Sequence, residues 1–187
     1  MVLIQTPASE LGTPAPDFAL PGTDGRLHMR DACRGPHGLL VMFICNHCPY
    51  VKAILDRLVA DCRDLVAAGI GVVAINSNDA RDYPEDAPER MRDLAERLAL
   101  PFPYLHDATQ DVARAYGAVC TPDFFGYDSA LRLRYRGRLD AAHRGPREPG
   151  MCRELVEAML EIARTGQTTI EQIPSMGCSI KWSSASA

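Results

Sequence analysis

The sequence predicts an α/β domain built around parallel strands, and three neighbouring segments carry that prediction. Leu39 to Cys45 (LLVMFIC) is an unbroken apolar run with the length and bulk of a strand covered on both faces. After Pro49, Val51, Leu55, Leu58, Val59, Cys62, Leu65 and Val66 follow the three-and-four spacing of a helix with one buried stripe, and Gly69 supplies its stop. Ile70 to Asn76 (IGVVAIN) is a second apolar strand, so strand, helix and strand form a right-handed crossover onto a parallel sheet. At 187 residues and 47% hydrophobic positions, the chain is large enough to bury a core, and one domain spanning residues 1–187 is expected.

The flanking elements read in order. Asp17 to Leu20 and Arg26 to Met29 flank the turn-rich segment Pro21 to Gly25, the pattern of a small N-terminal hairpin. The polar stretch SNDARDYPED ends at Asp86, and Glu89 three residues later makes a capping-box pair for a helix carrying Met91, Leu94 and Leu98. Tyr104-Leu105 is a short strand, and Gln110 to Tyr116 a short helix stopped by Gly117. Asp123 to Tyr127 and Leu131 to Tyr135 form an antiparallel hairpin, whose Arg132, Arg134 and Arg136 share one face, read as solvated. A last helix, Met151 to Arg164, buries Leu155, Val156, Met159, Leu160 and Ala163 and ends at Gly166; residues 167–187 are expected as a tail, with SSASA as its flexible end.

Composition excludes several classes of function. No apolar run approaches the ~18 residues of a membrane-spanning helix, so no membrane partner is expected. The opening MVLIQTPASE lacks the basic start and long apolar stretch of a secretory signal, which makes the cytoplasm the default compartment. A formal charge of -4 lacks the cationic excess needed for nucleic acid. The 7 cysteines are odd in number and scattered through a chain that folds without staples, the usage of mostly reduced thiols.

Chemistry concentrates in Cys45-Asn46-His47-Cys48-Pro49. Cys48 sits where a buried strand hands over to a helix, and proline is favoured at the first helical position. A thiol there faces free backbone N–H groups and the positive end of the helix dipole, which stabilise thiolate and lower its pKa. Cys48 is therefore the candidate nucleophile. If Cys45 to Cys48 forms a tight turn, its ends approach within about 7 Å, inside the span a disulfide tolerates. A cysteine closing an apolar strand is ordinarily core, but the C-x-x-C spacing at a strand-to-helix junction points to redox chemistry. His47, if protonated, adds a further push on the thiolate, although such a residue is ordinarily only part of the turn. Cys33, Cys62 and Cys152 read as structural.

The element order, the opening GTPAPDFALPGTDG, and CNHCPYV with the later GCSIKW together resemble the peroxiredoxin-like branch of the alkyl-hydroperoxide-reductase and thiol-specific-antioxidant (AhpC/TSA) family, over roughly Gly12 to Trp182. The resemblance implies a thioredoxin-like fold: a central mixed β-sheet flanked by helices, with an N-terminal hairpin extension. It places Cys48 at the reactive-cysteine position. Thr121-Pro122 is similar to the loop whose cis proline packs against that cysteine and offers backbone to an extended substrate. Cys120 and Cys178 become alternative resolving thiols.

Two departures stand out. Peroxiredoxins carry Thr or Ser three residues before the reactive cysteine and Pro four before that, where this chain has Cys45 and Val41. Thioredoxins carry their second cysteine three residues after the first, where this chain has Val51. The expected function is thus a thiol–disulfide oxidoreductase with antioxidant character, needing no cofactor. Cys48 attacks a small peroxide or a protein disulfide, Cys45 resolves, and an external thiol reductant restores the dithiol. The alternative is a metal-binding protein or copper chaperone holding Cu(I) or Zn(II) through Cys45, His47 and Cys48.

Overall fold

A computed structural model describes residues 3–7 and 9–183; Met1, Val2, Ala8 and 184–187, most of the SSASA end, lie outside the described residues. In chain order the elements are β1 (Leu3–Gln5), β2 (Ala19–Pro21), β3 (Leu27–Met29), α1 (Arg30–Cys33), β4 (Leu39–Phe43), α2 (Pro49–Ala67), β5 (Gly71–Asn76), α3 (Pro88–Leu98), β6 (Tyr104–His106), α4 (Asp111–Tyr116), β7 (Cys120–Thr121), β8 (Asp123–Tyr127), β9 (Leu133–Gly137), α5 (Glu154–Thr165) and β10 (Met176–Ser179).

The central sheet runs β6-β5-β4-β8-β9. β5 lies parallel to β4 and to β6, as the crossover requires, while β8 and β9 add antiparallel strands. Strand alternation divides the core in two. Leu40, Met42, Val72 and Ala74 pack on one face with α2, α3 and α5. Leu39, Val41, Phe43, Val73 and Ile75 pack on the other with α4 and the N-terminal Ala15, Phe18 and Leu20. β4 is buried at every position, which explains why its sequence shows a continuous apolar run instead of alternation. The predicted hairpin appears as β2 paired with β3.

Four expectations are corrected. The strand ends at Phe43, and Ile44 to His47 leave it as an irregular loop. Asp86 does not cap the following helix: Pro88 occupies its first turn, Ala87 is the N-cap without a side-chain bond, and Asp86 closes a 3-10 turn spanning Pro84–Asp86. Its carboxylate turns instead toward the loop at 46–47. Arg136 is not on a solvated face; it is buried, paired with Asp123 at 2.8 Å and stacked over Phe125. Burying that charge is tolerable only because the carboxylate and the Gly117 carbonyl oxygen meet it. Finally, the segment read as a tail contains β10, which pairs antiparallel with β1 on one side and β7 on the other.

Candidate active site

Cys48 is the N-cap residue of α2, extended at φ -67 and ψ 121, with Pro49 following at the helix start and Lys52 N–H donating to the Cys48 carbonyl at 2.9 Å. The local logic anticipated from the sequence therefore holds: strand, short loop, cysteine, proline, helix. Thr121-Pro122 is a cis peptide bond, as the resemblance implied. The Thr121 carbonyl lies 3.3 Å from Cys48 Sγ, and its hydroxyl 3.1 Å from Cys45 Sγ. One residue of β7 thus touches both sulfurs.

β10 completes the cage. Its register sets Cys178 opposite Thr121 and Ser179 opposite Cys120. The close approach requires glycine: a Cβ on Gly177 would stand 1.9 Å from the Thr121 carbonyl oxygen. This register brings Cys178 to Cys48, with which it interacts.

These neighbours set the ionisation of Cys48. The Cys45 S–H acts most strongly on it and favours the thiolate; burial opposes; the Cys178 thiol and the backbone N–H groups of Val51 and Cys178 add further donors. The balance brings Cys48 down to about 4. A carbonyl such as that of Thr121 favours the thiol, since only S–H can donate to it, but the converging donors outweigh it. The other thiols move the opposite way. Burial pushes Cys45 well above an ordinary thiol, helped by its bond to Cys48 and the Asp86 charge. Burial and the Cys48 contact push Cys178 up to about 12. Cys120 is pushed to about 12 by burial and then by Asp123, and no hydrogen bond joins it to Cys48 among the described residues. The shifts thus favour a thiolate at Cys48 with protonated thiols around it.

His47 does not figure in that balance. Its Nδ1–H donates in a short hydrogen bond to Asp86 Oδ2, its ring stacks on Tyr83 at 4.5 Å between centroids, and its Nε2 is buried without a partner. Asp86, wholly buried, also accepts from Asn46 N–H (2.6 Å), His47 N–H (3.2 Å) and Asn78 Nδ2 (2.9 Å). Burial works against its ionisation, yet these bonds hold its carboxyl below the usual range. Sequence inspection misses this role of Asp86 because its partners in the cysteine loop, Asn46 and His47, stand 40 and 39 residues away. Its ligand-type atoms group with Cys45 and His47 within 4.8 Å, a set that omits Cys48. Cys62 is buried on α2 and Cys152 exposed, both away from this cluster.

Both sulfurs are covered, Cys48 fully and Cys45 at 1% exposure. A cleft of about 660 Å³ between α2 and α3 ends on Cys45 and Asn46, with Val51, Leu55 and Leu94 along its apolar wall. Of the two sulfurs, it borders Cys45 and not Cys48.

Comparison with solved structures places the chain among close structural relatives. An uncharacterized conserved protein from Geobacillus kaustophilus is 42% identical, with a TM-score of 0.92 over 98% of each chain. A hypothetical protein from Sinorhizobium meliloti 1021 is also 42% identical, with a TM-score of 0.90 over 96% of this chain and 98% of its own. A thiol:disulfide interchange protein of the thioredoxin family from Chlorobium tepidum matches at 20% identity and a TM-score of 0.61, over 82% of this chain and 99% of that one, which establishes the thioredoxin-like fold. No curated protein sequence matched. The AhpC/TSA family model matches residues 11–137, covering β2 through β9 and the whole cysteine loop. The chain belongs to the AhpC/TSA family.

Proposed function

We propose that this chain is a thiol–disulfide oxidoreductase whose nucleophile is Cys48 and whose resolving thiol is Cys45. The observation that carries the reading is the convergence of two thiols and two backbone N–H groups on one sulfur at a helix N-terminus, which favours thiolate at neutral pH. In the forward step the Cys48 thiolate attacks a substrate disulfide, forming a mixed disulfide and releasing one substrate thiolate. Cys45 then loses its proton, attacks Cys48 Sγ and displaces the second substrate thiolate, leaving a Cys45–Cys48 disulfide that an external thiol reductant reopens. Because both sulfurs are covered, the loop or β10 must yield as substrate enters. No helix is long and apolar enough to cross a membrane among the described residues.

A disulfide substrate is favoured over a peroxide. The position of the peroxide-orienting hydroxyl is Cys45, and no arginine is hydrogen-bonded to Cys48 among the described residues. Arg136, the buried guanidinium of this region, is committed to Asp123 and the face of Phe125. The rival reading, a soft-metal site, draws on Cys45, His47 and Asp86 within 4.8 Å. Against it, both Asp86 oxygens already accept two hydrogen bonds each. Metal analysis of protein purified without chelator separates the two.

The test of the leading reading is alkylation and peptide mapping after mild disulfide or peroxide treatment. Wild type should yield a Cys45–Cys48 link, Cys45→Ser a trapped adduct on Cys48, and Cys48→Ser little reaction. Equal reactivity in all three contradicts it, and an adduct resolved by Cys178 in place of Cys45 reassigns the second thiol.

A further inference from the structure

We propose that His47, oriented by Asp86, is the base that deprotonates Cys45 when Cys45 resolves the mixed disulfide. The proposal rests on the Cys45–Cys48 dithiol reading and supplies the step that reading leaves open. Cys45 is the awkward partner: it must become a thiolate while enclosed among Thr121, Cys48 and the anionic Asp86. At 1% exposure Cys45 meets bulk water poorly even though the cleft reaches its loop. A base held beside it would take the proton at the site.

The His47 ring meets that need in three respects. One His47 ring nitrogen, Cys45 Sγ and an Asp86 oxygen lie within 4.8 Å of one another, which sets the ring beside Cys45, where one bridging water can pass the proton to Nε2. A carboxylate can only accept, so the Nδ1 bond fixes the neutral ring in the tautomer with Nδ1–H, and Nε2 keeps its lone pair. That Nε2 is buried with no partner among the described residues, an uncommon state for a polar atom and the one a base waiting for a proton would show. Asp86 is the positioning residue. Two backbone N–H bonds and Asn78 hold it, Tyr83 stacks on the ring, and the same carboxylate stabilises the imidazolium once the proton arrives.

The step balances. Starting from the mixed disulfide Cys48–S–S–R, His47 takes the proton of Cys45 S–H, and the Cys45 thiolate forms the new S–S bond to Cys48 as the Cys48–S–R bond breaks. RS⁻ leaves and takes a proton from the imidazolium or from solvent. Two electrons pass from the dithiol to the substrate disulfide over the two steps.

The test uses the full chain with Cys33→Ser and Cys152→Ser, which removes the thiols outside the site that are not buried. The probe is dithiobis(nitrobenzoate), an aromatic disulfide whose first released thiolate reports attack by Cys48 and whose second reports closure by Cys45. His47→Gln should leave the first phase within about twofold and slow the second by about 10²–10⁴-fold, the range of a general base. In His47→Ala, added imidazole entering by the cleft should restore part of the second phase. Asp86→Asn should slow the same phase. Unchanged second release in His47→Gln, equal slowing of both phases, or no response to imidazole overturns the proposal. The underlying reading fails differently: both phases persist in Cys48→Ser, or the second survives Cys45→Ser.

Discussion

Replacing Asp86 by alanine tests how the reactive loop is held. The carboxylate is wholly buried and accepts from two consecutive backbone N–H groups, at 2.6 and 3.2 Å, as well as from His47 and Asn78. The substitution leaves four donors without their acceptor in a largely buried site. Summing four bonds to a charged acceptor overshoots, because the groups act as one network. Loss of one partner from a buried charged cluster costs about 3–5 kcal/mol. For a chain of this size that lowers the melting temperature by about 10 °C, at ~2–4 °C per kcal/mol. Urea unfolding followed by circular dichroism measures it, with Asp56→Ala on the exposed face of α2 as a control expected within about 0.5 kcal/mol of wild type. The pH dependence has a definite sign. Asp86 is depressed in the fold, so its contribution is complete above the ordinary carboxylate value and is lost as pH falls through the lower folded value. An Asp86→Ala variant as stable as the control refutes the view that this carboxylate organises the loop.

Three further outcomes are expected. Cys45→Ala removes the donor that acts most strongly on Cys48 and should raise its pKa by about 1–2 units, one charge-assisted bond, read from the pH dependence of alkylation; an unmoved profile would show that Cys45 does not stabilise the thiolate. A depressed thiolate stabilises the reduced form, so the Cys45–Cys48 couple should be more oxidising than the roughly -270 mV of thioredoxin when equilibrated with glutathione buffers, and a more reducing value counts against the dithiol. Gly177→Ala forces a Cβ against the Thr121 carbonyl oxygen, costing about 1–3 kcal/mol and moving Cys178 off Cys48, so that the Cys48 pKa rises as stability falls. Calorimetry and alkylation on one preparation check both, and a neutral substitution would contradict the packing of β10 on β7.

Local pattern makes part of this molecule legible in its sequence. Strand, helix and strand around Cys48 follow from periodicity between Leu39 and Asn76, and the N-cap position of Cys48 follows from Pro49 beside it. Alternation misplaces one face of β9, because it groups Arg132, Arg134 and Arg136 without saying that Asp123 awaits the last of them inside the core. Asp86 is visible only as a capping residue, since Glu89 lies three residues on, whereas its actual partners come from the loop that precedes α2. β10 is unreadable for a similar reason. MGCS is four residues with a glycine, a weak strand signal, and its pairing depends on β1 and β7 at distant points of the chain. Cys178 can be named from the GCSIKW resemblance, but its place beside Cys48 requires the tertiary fold.

The proposed chemistry turns on the charge of a single sulfur. Alkylation of the reduced full chain across pH, with adducts quantified on the peptide containing Cys48, measures it directly. A midpoint near the value of about 4 set by the surrounding donors is the predicted result; a midpoint near the ~8.5 of an unperturbed thiol would contradict it.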